Sequence, residues 1–349
     1  NKYYKLRLSK SGAITELYDK LANNKQLVKV IDSTYVNDLG STNIDDGEDL
    51  MVENAGPVSV TLKAVSTNPI LHTVRVTLFA NNPRIDIEDS IQQNFGGTKT
   101  WSFSFNLSNP TTRHEELAAI LTVKKAAKGG HYADENARYD WQTFNHFANM
   151  SEPKYGITLS NMDCSFFKLG KSTVDSLWEN STQINALAGG NIDKKIEDGG
   201  VLGILNQNGN KNFLYKFALT TQQTAFDAGK AMKFSLEHQN PLVGAFISGT
   251  ANTLNGKSFS LFNISNPNII VWCVKPSEDD FENGLITRFW NFGGRYTSSV
   301  IQFNQPIKNA WQTSHIETNE NLLQPLYNKL NINLNPFQMK TFRVILKHK

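Results

Sequence analysis

The feature that most restricts what this chain can fold into is a period-two alternation of apolar and polar residues that recurs along most of its length. In "HTVRVTLFA" the residues Val74, Val76 and Leu78 share one face, and Thr73, Arg75 and Thr77 the other. "WSFSFNL" alternates Trp101, Phe103, Phe105 and Leu107 with Ser102, Ser104 and Asn106, and "KTFRVILK" repeats the pattern with Phe342, Val344 and Leu346. Successive side chains of a strand point to opposite faces, so each run reads as a strand with one face on a core. "NIIVWCVK" is apolar without interruption, which predicts a strand buried on both faces. Clusters such as "NDLGSTNIDDGED", "NPTT", "NQNGNKN" and "NPN" separate the runs with turn chemistry. Many short strands between turns predict an all-β chain built of sandwiches.

Helix signals are sparse. "TRHEELAAILTVKKAAK" opens with the capping-box spacing of Thr112 and Glu115 ahead of good helix formers and predicts one short helix. "NLLQPLYNKL" is interrupted by Pro325. "NQNGNKN", between "GGVLGIL" and "FLYKFAL", reads as a hairpin turned at Asn208–Gly209. Asn-Pro in "EHQNPLVG", followed by the small and polar "SGTANTLNGKS", marks a boundary, giving a large β unit over 1–240 and a smaller one over 241–349. There is no internal repeat of fixed period.

Composition removes several function classes. With 35 basic and 32 acidic residues in 349, and no basic block, the chain has no nucleic-acid footprint. No apolar run approaches a membrane span, so a soluble chain with no membrane partner is expected. The sequence opens at Asn1 without an initiator Met or a signal peptide, as expected of a processed chain or a piece of a longer one. Cys164 and Cys273 are too few for a disulfide framework and lack zinc-site spacing, so they read as small buried apolar residues. Glycosylation sequons start at Asn106, Asn149, Asn180 and Asn263 and acquire meaning only in a glycosylating pathway.

Most motif matches fail on context. "ANTLNGKS" (251–258) has the loose spacing of a phosphate-binding loop, but an alternating run and Pro267 follow it where a helix is required. "RHEEL" has no second histidine one turn on, and the seven histidines are scattered, with no His-x-Asp or His-x-His among them, so no metal site is expected in this chain. There is no Gly-x-Ser-x-Gly elbow. The acidic runs "NIDDGED" and "SEDDFENG" sit in turn-like surroundings and read as solvated loops.

One stretch is unusually dense. "ARYDWQTFNHFANM" brings Arg138, Tyr139, Asp140, Trp141 and Gln142 together, then Phe144, His146 and Phe147. Aromatic faces for sugar C–H surfaces, flanked by planar polar side chains for hydroxyls, would suit a carbohydrate. The same composition suits the edge of a sandwich core, where Trp and Tyr keep one wet end. Both alternatives stay open on the residues alone.

The ordered series of segments nevertheless resembles a known family. "YYKLRLSKSGAITELYDKLANNKQLV", with Gly12, Ile14, Leu17, Asp19 and Lys20, is similar to the opening of the C-terminal region of glycoside hydrolase family 38, the α-mannosidases. The resemblance runs through "GPVSVTLKA", "NPRIDIEDSI", "YGITLSNMDCSFFKLG", "EHQNPLV" and "IIVWCVKPSEDDFENGLITRFWN" to "KTFRVIL". It implies a large galactose-mutarotase-like supersandwich followed by a smaller β-sandwich. It implies a partnership in a retaining exo-α-mannosidase, whose zinc and catalytic residues lie in an N-terminal catalytic domain of the same polypeptide. No catalytic or metal residue of the family can be placed on this sequence, so the chain by itself is expected to be inactive and to hold no cofactor. The resemblance makes the segment with Arg138, Tyr139 and Trp141, and Arg288 in "GLITRFWN", candidates for walling an α-mannoside pocket: an aromatic face for the sugar ring and a guanidinium fork for hydroxyls. For Arg288 a structural ion pair on a strand is the alternative. A free-standing carbohydrate-binding or sugar-isomerase-like sandwich is the competing reading, and it would need a carboxylate and a histidine converging on one sheet.

Overall fold

In a computed structural model the described residues are 1–116, 119–192, 205–246, 258–278 and 280–347. They form two compact units, Asn1–Pro241 and Leu242–Lys349. Both are β-sandwiches, and the strand pairings are antiparallel.

In the larger unit an eight-stranded sheet runs Tyr4–Leu8, Ile14–Asp19, Val36–Asp38, Lys99–Ser104, Gln183–Gly189, Phe166–Leu169, Gln142–Thr143, with Lys25–Gln26 paired to Ile14–Asp19 off this path. A nine-stranded sheet runs Ala119–Thr122, Thr111–Glu116, Phe147–Glu152, Tyr155–Asn161, Phe213–Gln222, Ile85–Ile91, His72–Phe79, Ser59–Ser66, Met51–Ala55. The alternating residues meet between these sheets. Trp101, Phe103, Ile184 and Phe167 come from one, and Val74, Ile87, Leu159 and Phe217 from the other. Phe103 meets Phe217 edge to face at 5.1 Å between ring centroids. Burying each such ring contributes about 1.5–3 kcal/mol. Ser102 and Ser104 are also buried, because Asn185 and Gln183 hydrogen-bond their hydroxyls on the other face.

The smaller unit packs a three-stranded sheet (Phe262–Ile264, Thr297–Phe303, Lys329–Leu334) against a five-stranded one (Ile269–Pro276, Leu285–Asn291, Met339–Leu346, Ile307–Thr313, Asn319–Leu323). Phe289, Ile301, Phe303, Ile332, Phe342 and Val344 fill its core. Ile269–Pro276 is an edge strand rather than one buried on both faces. Ile269 enters the core, while Trp272 and Val274 are exposed, the indole standing edge-on to Trp290. An apolar run does not by itself separate a central strand from an edge strand with one aromatic-covered face.

One further expectation is corrected. The helix predicted from Thr112 is a hairpin of Thr111–Glu116 with Ala119–Thr122. Thr112 and His114 are buried on one face and the strand pairs on its other edge with Phe147–Glu152, so sheet pairing overrides local helix preference. Phe213–Gln222, the second arm of the hairpin expected at "NQNGNKN", pairs with Ile85–Ile91 and, from Phe217 on, with Tyr155–Asn161. "GGVLGI" lies outside the described residues, as does "ANTLNGK". The helix that forms is Ala228–Gln239, capped by Asp227, whose carboxylate accepts from the Lys230 amide. Its inner face carries Ala231, Met232, Ser235 and His238, too weakly apolar to announce itself by periodicity. His238 Nδ1 reaches Ser160 Oγ at 2.9 Å, which seats the helix on Tyr155–Asn161, and burial lowers its pKa to about 4.

Candidate functional site

The dense stretch crosses from one sheet to the other. Gln142–Thr143 is the edge strand of the eight-stranded sheet, and Phe147–Glu152 belongs to the nine-stranded one. His114 staples the crossing. Its Nδ1 donates to the Thr143 carbonyl at 2.8 Å, which fixes the tautomer, so Nε2 accepts the Tyr132 hydroxyl at 2.6 Å. Burial lowers the His114 pKa to about 4, so the ring is neutral, and burial holds the Tyr132 phenol protonated. Glu116 accepts from Thr143 Oγ1 at 3.0 Å, on the same face of the strand as His114.

Each residue predicted for a sugar wall has a definite place. Arg138 grips Asp140 with two parallel hydrogen bonds, Nε to Oδ1 at 2.7 Å and Nη2 to Oδ2 at 2.8 Å. Tyr139 is turned inward and only 3 % exposed. Its hydroxyl donates to the Ala133 carbonyl at 2.8 Å, and Lys125 Nζ stands 4.8 Å from its ring centroid. The Tyr139 side chain is therefore consumed by the fold and offers a sugar neither ring nor hydroxyl. Trp141 is half-buried, with Lys168 Nζ 5.5 Å from its ring centroid. Arg288 belongs to the smaller unit. Its Nε donates to Thr341 Oγ1 at 3.0 Å and its Nη2 to the His315 carbonyl at 3.0 Å, so hydrogen bonds to a neighbouring strand and turn hold it where an ion pair was the alternative.

The structure adds what the sequence reading missed. Glu115, 1 % exposed, meets His146 Nδ1 through Oε2 at 2.5 Å. This contact orients the imidazole ring. His146 lies on a groove of about 700 Å³ whose lining includes Asn145, Asp163, Phe166 and Gln239. Asn161 builds the groove floor: its amide donates to the Phe144 and Cys164 carbonyls at 2.6 and 2.7 Å and accepts from the Cys164 amide at 2.9 Å. Burial raises the Asp163 carboxyl pKa, while the Lys216 amide pulls it back. Phe166 and Trp178 expose aromatic surface in the same part of the sequence. Reading "RHEEL" as a strand would have separated Glu115 from His114 and Glu116 by simple alternation.

The arrangement can hydrogen-bond a polar ligand and present aromatic surface to it. It does not fit a catalytic metal: among the described residues no three His, Cys, Asp or Glu side chains converge on one point.

The comparisons with known proteins fall into line with this architecture. Residues 268–342 match the family model described as the glycosyl hydrolases family 38 C-terminal beta sandwich domain. That stretch is similar to a family 38 C-terminal β-sandwich. Among solved structures it is similar to an alpha-mannosidase from Enterococcus faecalis V583, at 13 % identity and a TM-score of 0.69, over 98 % of this chain and 41 % of that one. A glycosyl hydrolase family 38 protein from Enterococcus faecalis matches equally well, at 13 % identity and a TM-score of 0.69, over 98 % of this chain and 43 % of that one. The likeness is one of fold, and this chain spans about two fifths of the length of both. A galactose mutarotase-like protein from Lactobacillus casei is matched over 64 % of this chain and 97 % of its own, at 13 % identity and a TM-score of 0.38. No curated protein sequence matches.

Proposed function

We propose that this chain serves as the C-terminal β region of an α-mannosidase that releases terminal α-linked mannose from glycans. In this reading a catalytic domain of the same polypeptide supplies the zinc and the nucleophile for retaining hydrolysis. The β region supports that domain and lends side chains to the rim of the sugar pocket. The observation that carries the reading is the match of nearly the whole chain, 98 %, to two fifths of an alpha-mannosidase fold, joined to the family model at 268–342. Within the larger unit Trp141 is the proposed aromatic wall, with Arg138 as its polar neighbour and Tyr139 as the buried post behind them; within the smaller unit Arg288 is the proposed guanidinium contact. The test is hydrolysis of an aryl α-mannoside by this chain alone in the presence of zinc. No turnover is expected. Clear turnover would mean that a complete carboxylate and metal site exists among these strands, and the division of labour would fail.

A second reading has one observation in its favour. His146, backed by the buried Glu115 carboxylate, lines an open groove, the kind of carboxylate–histidine pair a sugar-isomerase-like or free-standing carbohydrate-binding sandwich would use. Catalysed anomerisation of a free aldose by the isolated chain, lost in Glu115→Gln, would favour it over the accessory role.

A further inference from the structure

The larger unit contains five arginines, at 7, 75, 84, 113 and 138. Four face a carboxylate: Arg7 meets Glu16 at 3.2 Å, Arg75 meets Glu53 at 2.8 Å, Arg84 meets Asp86 at 2.6 Å and Arg138 meets Asp140 at 2.7 Å. Arg113 differs. It is half-buried on the Thr111–Glu116 strand and gives one N–H to Ser151 Oγ at 3.2 Å. Its guanidinium lies 4.9 Å from the Phe226 ring centroid. No carboxylate among the described residues pairs with it. Burial lowers its pKa with nothing acidic to oppose the shift, so a cation is held part-way out of water without a counter-ion.

The surroundings are shaped to receive a ligand. Arg113 lies on a groove of about 790 Å³ together with Asn109, Thr111, Ser151, Tyr155 and Phe226. That volume is within the range of small-ligand pockets. Cation–π contact with Phe226 steadies the guanidinium plane, which suits a fork for two oxygens. The other charges on the groove leave this one uncancelled. Glu152 is engaged by Lys25 at 3.6 Å and by the Ser108 amide at 2.5 Å, and Lys154 adds a second cation at the rim. The short hydroxyl and amide groups of Ser108, Asn109, Thr111 and Ser151 suit a hydroxylated body better than a hydrocarbon one.

We propose that this groove binds a sugar carrying a single oxyanion, with the anion on the Arg113 fork and the hydroxyls along Asn109, Thr111 and Ser151. The inference does not rest on the α-mannosidase reading. The test is calorimetric titration of the whole chain at low salt with glucuronate, glucose 6-phosphate, glucose and inorganic phosphate. At least one acidic sugar is expected to bind at least about tenfold more tightly than glucose, and to weaken as salt is added. The glucuronate and glucose 6-phosphate arms decide whether the anion is a carboxylate or a phosphate. Arg113→Gln is expected to lose that preference while Arg7→Gln keeps it. Should Arg113→Gln fail to fold, Arg113→Lys, which keeps the charge but not the fork, is expected to lose most of the affinity at an unchanged melting temperature. The proposal is overturned if no acidic sugar binds, if acidic and neutral sugars bind alike, if inorganic phosphate binds as tightly as the sugar phosphate and glucuronate does not bind, or if the Arg113 variants behave like the parent.

Discussion

His114 should make the larger unit acid-labile by a calculable amount. In the folded chain its pKa is lowered to about 4, chiefly by burial; the Thr143 carbonyl and nearby Glu115 only partly oppose that. The unfolded chain has the ordinary histidine value near 6.5. A base whose folded pKa is depressed leaves the unfolded state binding more protons between the two values. Stability is therefore fully present above about pH 6.5 and is lost as the pH falls toward 4. At roughly 1.4 kcal/mol per pH unit, this single ring removes roughly 3 kcal/mol over that window. The perturbation is His114→Gln, which cannot titrate. It loses the staple between Thr143 and Tyr132 and should be less stable than the parent at pH 7.5 by about 1–3 kcal/mol. Its stability should nevertheless fall less steeply on acidification, so the gap closes by pH 4.5. The assay is urea unfolding across this range, followed by fluorescence, with the buried Trp101 reporting on the unit. His238 contributes a parallel loss that is common to both proteins. Parent and variant profiles that run parallel from pH 7.5 to 4.5 would refute the argument that His114 is buried neutral.

Asp89 should act with the opposite sign: its carboxyl is fully buried, Oδ1 accepts from Asn37 Nδ2 at 2.9 Å, Oδ2 has no partner among the described residues, and burial raises its pKa well above the usual carboxylate range. Stability tied to this group is present below the unfolded carboxyl pKa and lost as pH rises through the folded value, so Asp89→Asn should become progressively more stabilising toward alkaline pH in thermal melts. Gly12→Ala should cost about 2–4 kcal/mol by urea titration, because Gly12 has φ +85° and an added Cβ would fall 2.4 Å from Val74 Cγ2. Tyr155→Phe should cost about 1–2 kcal/mol by the same titration, since buried Asp19 loses the 2.8 Å phenol donor and keeps those of Thr221, Gln223 and Leu21.

The strands were legible wherever alternation was paired with a turn cluster. His72–Phe79 buries Val74 and Val76 and Met339–Leu346 buries Phe342 and Val344, while Leu78 and Leu346 near the strand ends are half-buried. What the sequence does not encode locally is which edge of a strand is taken. Thr111–Glu116 carries a helix-start spacing and becomes a strand because Phe147–Glu152 is there to pair with it, and Ile269–Pro276 looks central and is an edge. The candidate site was legible as a segment and not as roles. Tyr139 and Trp141 are two residues apart in a dense aromatic run, and one is spent inside while the other keeps surface. Their difference is decided by the Ala133 carbonyl and by Lys125 and Lys168, none of which composition can assign. Glu115 could not be linked to His146 from a single sequence, since 31 positions separate them.

The way the 137–147 segment is held bears on what it can do. A core edge would be held by apolar packing alone, and a mobile binding loop by few contacts at all. Here the polar groups are committed to the scaffold at close intervals. Arg138 is locked to Asp140, Gln142 Nε2 donates to the Tyr139 carbonyl at 2.6 Å, and Asn161 fastens the Phe144 carbonyl. Thr143 is held from both its carbonyl and its hydroxyl, by His114 and Glu116. Buried rings at Tyr139, Phe144 and Phe147 anchor the same stretch from below. A segment fixed in this way loses little conformational entropy when a surface or a sugar is laid on Trp141 and His146. Rigid presentation of a few side chains, with reactive groups supplied from elsewhere, is what a pocket wall requires. It is also why substitutions at Tyr139 should change the melting temperature, while those at Trp141, on the proposed wall role, should change sugar affinity and leave the melting temperature alone.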